Sequence, residues 1–349
     1  MINIHVRWGL LVLCGIVAPA LRAEMEQGPH AQVPQGSAAA RPAGPAPSTS
    51  VTSPSGWDDS GDIKVFPVQG KVYLLVGAGA NIAVQVGDEG VLVVDSGLKV
   101  HAEKVLAAIR TLSDGPIRWV VNTSALPDHT GGNEALSKAG GTTQGNPLPI
   151  VAHENVIARM SAPSGGDPVT PSAAWPTNGY VKRTKDFFFN AEPIMVYHPE
   201  AGVTDGDSIV LFRRSDVLVA GETWVTTRYP IIDVARGGGV QGVIDGLNYL
   251  LDMAVPEHQQ EGGTYVIPGH GRVGDEADVL EYRDMVTIVR DRVQDMVSRG
   301  LTLAQVKAAA PTLDYDRQYG TDRGPWTTAR FVEAIYEDLS ARTPRATRE

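Results

Sequence analysis

The sequence predicts an α+β fold with two β-sheets packed face to face, helices on their outer faces and a helical extension at the C-terminus. Three observations predict it. Short β-rich runs separated by Gly-containing turns fill residues 65–95. A strands-then-helix pattern then follows, twice over. Asp275 to Arg299 carries a long amphipathic helical pattern. The bulk properties suit such a core, since 349 residues at 42% hydrophobic and 20% charged are ordinary values for a soluble globular chain.

The N-terminus reads as an export signal over residues 1–23. His5 and Arg7 form a weakly basic start, Trp8 to Leu21 is a short apolar run interrupted by Pro19, and Ala18-Pro19-Ala20 or Leu21-Arg22-Ala23 offers a cleavage site. The run is short for a bilayer span, so removal is preferred to a retained anchor, and no stable membrane insertion is expected afterwards. A periplasmic or extracellular location follows. Cys14, the only cysteine, lies inside this signal. Any metal site of the mature chain must therefore use His, Asp and Glu. Residues 24–60, rich in Ala, Pro, Gly and Ser, cannot bury enough apolar surface to order themselves and read as a disordered tether. The main domain is expected over 61–275 and the helical extension over 276–349.

Within the domain, Val65 to Pro67, Val72 to Val76, Ala80 to Val86 and Gly90 to Asp95 read as an antiparallel meander. His101 to Leu112 has helical spacing, with Val105, Ile109 and Leu112 on one face. Trp119 to Asn122 is a strand and Glu134 to Ala139 a short helix; Ile150 to Ala152 and Glu154 to Met160 repeat the pair. Ser161 to Gly179, rich in Pro and Gly, reads as a long loop suited to a lid. Strands resume at Ile194 to His198, Ser208 to Phe212 and Val217 to Ala220, with Asp205-Gly206 as a hairpin turn between two of them. Val240 to Met253 is a helix, Thr264 to Ile267 a buried strand, and Leu303 to Ala310 and Thr328 to Leu339 are further helices.

The net charge of −10 argues against a nucleic-acid partner, which would favour a basic face. Gly237-Gly238-Gly239 lacks the strand and lysine of a phosphate loop, and no nucleophile elbow surrounds Ser124. The stretch Asn122 to Asn133 is more telling. It places Asp128 beside His129, two metal-ligand residue types, in a loop behind an apolar strand, with Gly131 and Gly132 permitting a sharp turn.

Five segments, in order, resemble motifs of the metallo-β-lactamase superfamily. They are Gly90-Val91-Leu92-Val93-Val94-Asp95-Ser96-Gly97, Asp128-His129-Thr130-Gly131-Gly132-Asn133, Thr204-Asp205-Gly206-Asp207-Ser208, Ala220-Gly221-Glu222 and Pro268-Gly269-His270-Gly271. The resemblance implies a four-layer αβ/βα sandwich with metal held between the sheets. It also implies a divergent member. Ser124, Leu126 and Val203 stand where the family's first metal site has histidines, so that site is expected to be absent. The ligands implied for the second site are Asp128, His129 and His270, with Glu222 in place of a bridging Asp. One zinc ion is expected; iron or manganese also suits such N and O ligands. Asp95 is implied as a carboxylate behind the ligands that orients an imidazole or the loop.

The function implied is hydrolysis of a small-molecule ester, amide or lactam, or phosphoester, by a water that one metal activates. Asp128 and Glu222 would be the catalytic carboxylates, and Trp224 and Tyr229 are candidates for substrate contact. His153 and Trp175 could line a cleft with them, and packing is the readier role for all four; Tyr197 and His198, on a strand near the site, are also more readily core residues. The alternative is a non-catalytic binding scaffold of the same fold, because fold alone does not fix activity.

Overall fold

The computed structural model describes residues 59–140, 142–143, 146–161, 170–259 and 262–342. The expected export signal and nearly all of the expected tether lie outside these residues, as does Cys14. The chain builds β1 (Lys64–Gln69), β2 (Val72–Val76), β3 (Ile82–Gly87), β4 (Gly90–Val94), α1 (Ala102–Leu112), β5 (Ile117–Val121), α2 (Pro127–Thr130) and α3 (Asn133–Gly140). It continues with β6 (Thr142–Thr143), β7 (Asn146–Pro147), β8 (Ile150–His153), α4 (Glu154–Ser161), β9 (Asn178–Tyr180), β10 (Thr184–Phe189), β11 (Glu192–Tyr197) and β12 (Ile209–Phe212). The last third holds β13 (Val217–Gly221), α5 (Val240–Met253), β14 (Tyr265–Pro268), α6 (Glu276–Ser298), α7 (Leu303–Ala308), α8 (Asp316–Tyr319) and α9 (Thr328–Arg342).

Seven strands form one sheet in the order β1-β2-β3-β4-β5-β8-β9, and five form a second in the order β10-β11-β12-β13-β14. The first four strands are the antiparallel meander, whereas β4, β5, β8 and β9 run parallel, as do β13 and β14. Side-chain alternation sorts each strand between two cores. Leu92 and Val94 of β4, with Val217 and Val219 of β13, point between the sheets and meet Phe189, Ile194, Val210 and Phe212. Val91 and Val93 point outward onto Val105 and Ile109 of α1 and Leu136 of α3. On the other flank Leu218 and Ala220 pack on α5, α6 and α9 through Val243, Leu247, Tyr282 and Phe331. The layers are thus helix, sheet, sheet, helix. Strands covered on both faces read as unbroken apolar runs, which is why Gly90–Val94 carries no polar alternation.

Two expectations need correction. Asp205-Gly206 is not a tight hairpin turn. The antiparallel strands β11 and β12 are joined by residues 198–208, because the Asp207 carboxylate folds that loop on itself by accepting from the Thr204 backbone N–H and hydroxyl. The expected long loop from Ser161 to Gly179 ends in structure: Asn178–Tyr180 adds β9 to the sheet edge, parallel to β8. Residues 162–169 of that loop lie outside the described set. The strand β10, unread from sequence, pairs in full register with β11 from Thr184↔Tyr197 to Phe189↔Glu192.

Candidate metal centre

Two pairs of parallel strands, β4 with β5 in one sheet and β13 with β14 in the other, lead into the candidate residues. Behind β4 comes Asp95, behind β5 the loop to Asp128 and His129, behind β13 Glu222, and behind β14 His270. The loop after β5 is pinned before any ligand is considered. Asn122 and Asn133 exchange side-chain hydrogen bonds, and Asn122 Nδ2 and the Ser96 hydroxyl both donate to the His129 carbonyl. Pro127 opens the single turn of α2, a position where its missing N–H costs nothing. Gly132 is obligatory, because a Cβ there would lie 2.2 Å from the Ser96 carbonyl oxygen. The loop after β14 is held by Asn81, whose side-chain amide donates to the carbonyls of Pro268 and Gly271 at 2.9 and 3.0 Å.

These loops bring one ligand atom each of Asp128, His129, Glu222 and His270 within 4.8 Å of one another, the one such group among the described residues. Glu222 Oε1 lies 2.9 Å from His270 Nε2 and 3.3 Å from His129 Nε2, and Asp128 Oδ2 lies 3.1 Å from His270 Nε2. His129 and Glu222 are fully buried, while the side chains of Asp128 and His270 keep 24% and 12% exposure, so the group opens to solvent on their side. Asp95 stands behind it: Oδ2 accepts from His129 Nδ1 at 2.7 Å and from the Thr123 hydroxyl at 2.6 Å, and Oδ1 accepts from the Thr123 N–H at 2.8 Å.

The charges are strongly coupled. Burial favours neutral His129, yet Asp95 and Asp128 outweigh it and raise its pKa well above the ordinary range. Burial likewise raises Glu222, but Arg228 and the two imidazoles overcome this and hold the carboxyl well below its usual range. Asp128 is lowered on balance: burial raises it, and His129 and His270 lower it by more. Arg228 was not anticipated. Its Nη2 donates to Glu222 Oε2 at 2.8 Å, and the Tyr282 hydroxyl of α6 donates to its backbone carbonyl at 3.0 Å. It lies six residues past Glu222 in an irregular loop, where no periodicity marks it.

The donor set fits a divalent metal. Two imidazole nitrogens and two carboxylate oxygens, two of them from α2 and one each from the loops after β13 and β14, match the N and O ligand chemistry of zinc, and also of iron or manganese. Ser124, Leu126 and Val203 sit otherwise. The Ser124 hydroxyl accepts from the Leu126 N–H at 3.1 Å, and Val203 is buried in the outer core of the second sheet. The structure also corrects the reading of Trp224 and Tyr229 as substrate contacts. Both side chains are 1% exposed in that same core, and Tyr229 stacks on Phe331 at 4.5 Å. His153 and His198 lie apart from the four donors as a stacked pair, 3.8 Å between ring centroids.

A family model described as the metallo-beta-lactamase superfamily matches residues 75–290. The chain belongs to the metallo-beta-lactamase superfamily. This superfamily chain also resembles solved structures of the same fold. A metallo-beta-lactamase from Pontibacter korlensis aligns with a TM-score of 0.50 at 19% identity, over 65% of this chain and 99% of that one. The sec-alkylsulfatase Pisa1 from Pseudomonas sp. aligns with a TM-score of 0.55 at 17% identity, over 79% of this chain but 50% of its own length. The metallo-beta-lactamase DIM-1 gives 0.51 at 15% identity, over 64% and 97%. A comparison with curated proteins gives no match. The family match ends inside α6, whose Tyr282 reaches back to the metal-centre loop. Among the described residues no helix is long and apolar enough to cross a membrane.

Proposed function

We propose that this chain is an exported hydrolase that uses one metal ion, held by Asp128, His129, Glu222 and His270, to cleave a small-molecule ester, amide or lactam, or phosphoester. The observation that carries the reading is the convergence of these four side chains within 4.8 Å from the ends of strands in both sheets. Zinc is the preferred ion, and iron or manganese suits the same donors. An ion held there would supply Lewis acidity to the scissile group and would lower the pKa of a water toward neutrality. The chain supplies the rest. Asp95 fixes the His129 ring by its Nδ1, which leaves Nε2 facing the centre. Glu222, fully buried and held ionised, anchors the centre and excludes water from its floor. Asp128 is the carboxylate with solvent access, so it is the group placed to take the proton of an attacking water. The superfamily assignment, and fold neighbours named for lactamase and alkylsulfatase activities, support hydrolysis over other chemistry.

A second reading, a non-catalytic binding scaffold of the same fold, draws on one observation. Both carboxylates of the cluster, and Asp95 behind them, already have imidazole or guanidinium partners. Elemental analysis of the purified, reconstituted chain separates the two. Less than about a tenth of an equivalent of any transition metal favours the scaffold. With metal bound, His270→Ala is expected to lose both the ion and any esterase, lactamase or phosphodiesterase activity. Activity that survives in His270→Ala overturns the mechanism.

A further inference from the structure

We infer that Arg228 is a built-in second cation of this centre: its guanidinium occupies the far oxygen of Glu222 and limits the cluster to one divalent ion. The inference starts from the metal centre of the proposed function and says how its charge is set. A carboxylate has two oxygens and can join two cations. Here Glu222 Oε1 faces His129 and His270, at 3.3 and 2.9 Å, while Oε2 faces Arg228 Nη2 at 2.8 Å. The glutamate therefore links the metal donors to a fixed positive group.

The arithmetic of charge agrees. Asp95, Asp128 and Glu222 bring three negative charges to one buried neighbourhood. With neutral imidazoles, one divalent ion and one guanidinium balance them. A second divalent ion beside Arg228 would leave an excess of positive charge in a place with little water to screen it.

Arg228 meets Glu222 through a single charge-assisted hydrogen bond. A guanidinium normally grips a carboxylate with two parallel N–H bonds. This pair is end-on, and the buried Nη1 has no acceptor among the described residues. The Arg228 backbone is fixed independently, because the Tyr282 hydroxyl donates to its carbonyl. Ser124, Leu126 and Val203 explain why a second ion lacks ligands. Arg228 explains why the remaining carboxylate oxygen does not recruit one.

The test uses zinc as the probe and the full chain. Stoichiometry is read by elemental analysis and affinity by competition with a chromophoric chelator, for wild type, Arg228→Gln and Arg228→Lys, with a melting curve on each. Wild type is expected to hold one equivalent. Arg228→Gln, which deletes a repelling charge, is expected to bind zinc about tenfold more tightly or to take a further ion. Arg228→Lys, which keeps the charge and loses the fork, is expected to stay within about threefold of wild type. Arg228→Met replaces the Gln variant as the neutral form if the latter does not fold. Zinc binding by wild type with no tightening in the neutral variant overturns this inference alone. No binding by wild type but binding by the neutral variant overturns the hydrolase reading and the limit of one ion, and leaves only the repulsion by Arg228 standing. No binding by either overturns both.

Discussion

Asp95 Oδ2 lies 2.7 Å from His129 Nδ1, and Asp95 reaches that position from a left-handed backbone conformation, φ 64°. A non-glycine residue there stores strain, which persists because the surroundings over-determine it. The Asp95 N–H donates to Val121, and its carboxylate takes both donors of Thr123. The strand end is bent so that a carboxylate, and not merely a turn, stands behind the imidazole.

Asp95→Asn tests this. Asn must keep its oxygen on the Thr123 N–H, so its NH2 faces His129 Nδ1. That forces the ring proton onto Nε2, the nitrogen needed at the centre. Zinc affinity is expected to fall about 10- to 100-fold, read by chelator competition. An affinity within twofold of wild type would show that Asp95 only shapes the turn.

Asp207 gives a pH-dependent contribution of defined sign. Burial pushes its carboxyl up to about 7, against the hydrogen bonds it accepts from Thr204. A raised pKa means the folded state holds the proton more tightly. The stabilisation is complete below the ordinary Asp value and is lost as pH rises through about 7. His153 has the opposite sense. Burial and the neighbouring His198 lower it to about 4, so its contribution is complete above the ordinary His value and fades as pH falls through about 4. In urea titrations from pH 4 to 8, Asp207→Asn is expected to lose most stability relative to wild type at the acid end. The difference should shift by up to about 4 kcal/mol across the window. A difference constant with pH would rule this out.

Tyr229→Phe separates a core role from a substrate role. The hydroxyl donates to Asp316 at 2.8 Å and to the Thr312 carbonyl at 3.2 Å, both in the C-terminal helical region. Its loss is expected to cost about 1–2 kcal/mol in chemical denaturation and to leave zinc affinity unchanged. A raised KM with undiminished stability would restore Tyr229 to the substrate.

Much of this was legible in the residues. Apolar runs bounded by Gly marked the strands, and motif order alone named Asp128, His129, Glu222 and His270, which the fold brings within 4.8 Å of one another. What escaped had no local signature. Thr184–Phe189 sets Phe187, Phe188 and Phe189 behind Thr184, Lys185 and Asp186 without apolar–polar alternation, and becomes a strand through pairing with β11. Arg228 acquires its meaning from Glu222 across a loop turn. Trp224 and Tyr229 were candidates for substrate contact because they follow Glu222 in sequence, yet both rings are buried in the core that holds α5, α6 and α9.

The four donors also come from two halves of the chain. Asp128 and His129 extend from one sheet, Glu222 and His270 from the other. Either half alone offers two donors, and only the docked sandwich offers all four. An ion held by all four would need both sheets in place, and would then act as a rivet between them. During refolding, the moment of uptake would time the docking of the halves instead of the formation of either one.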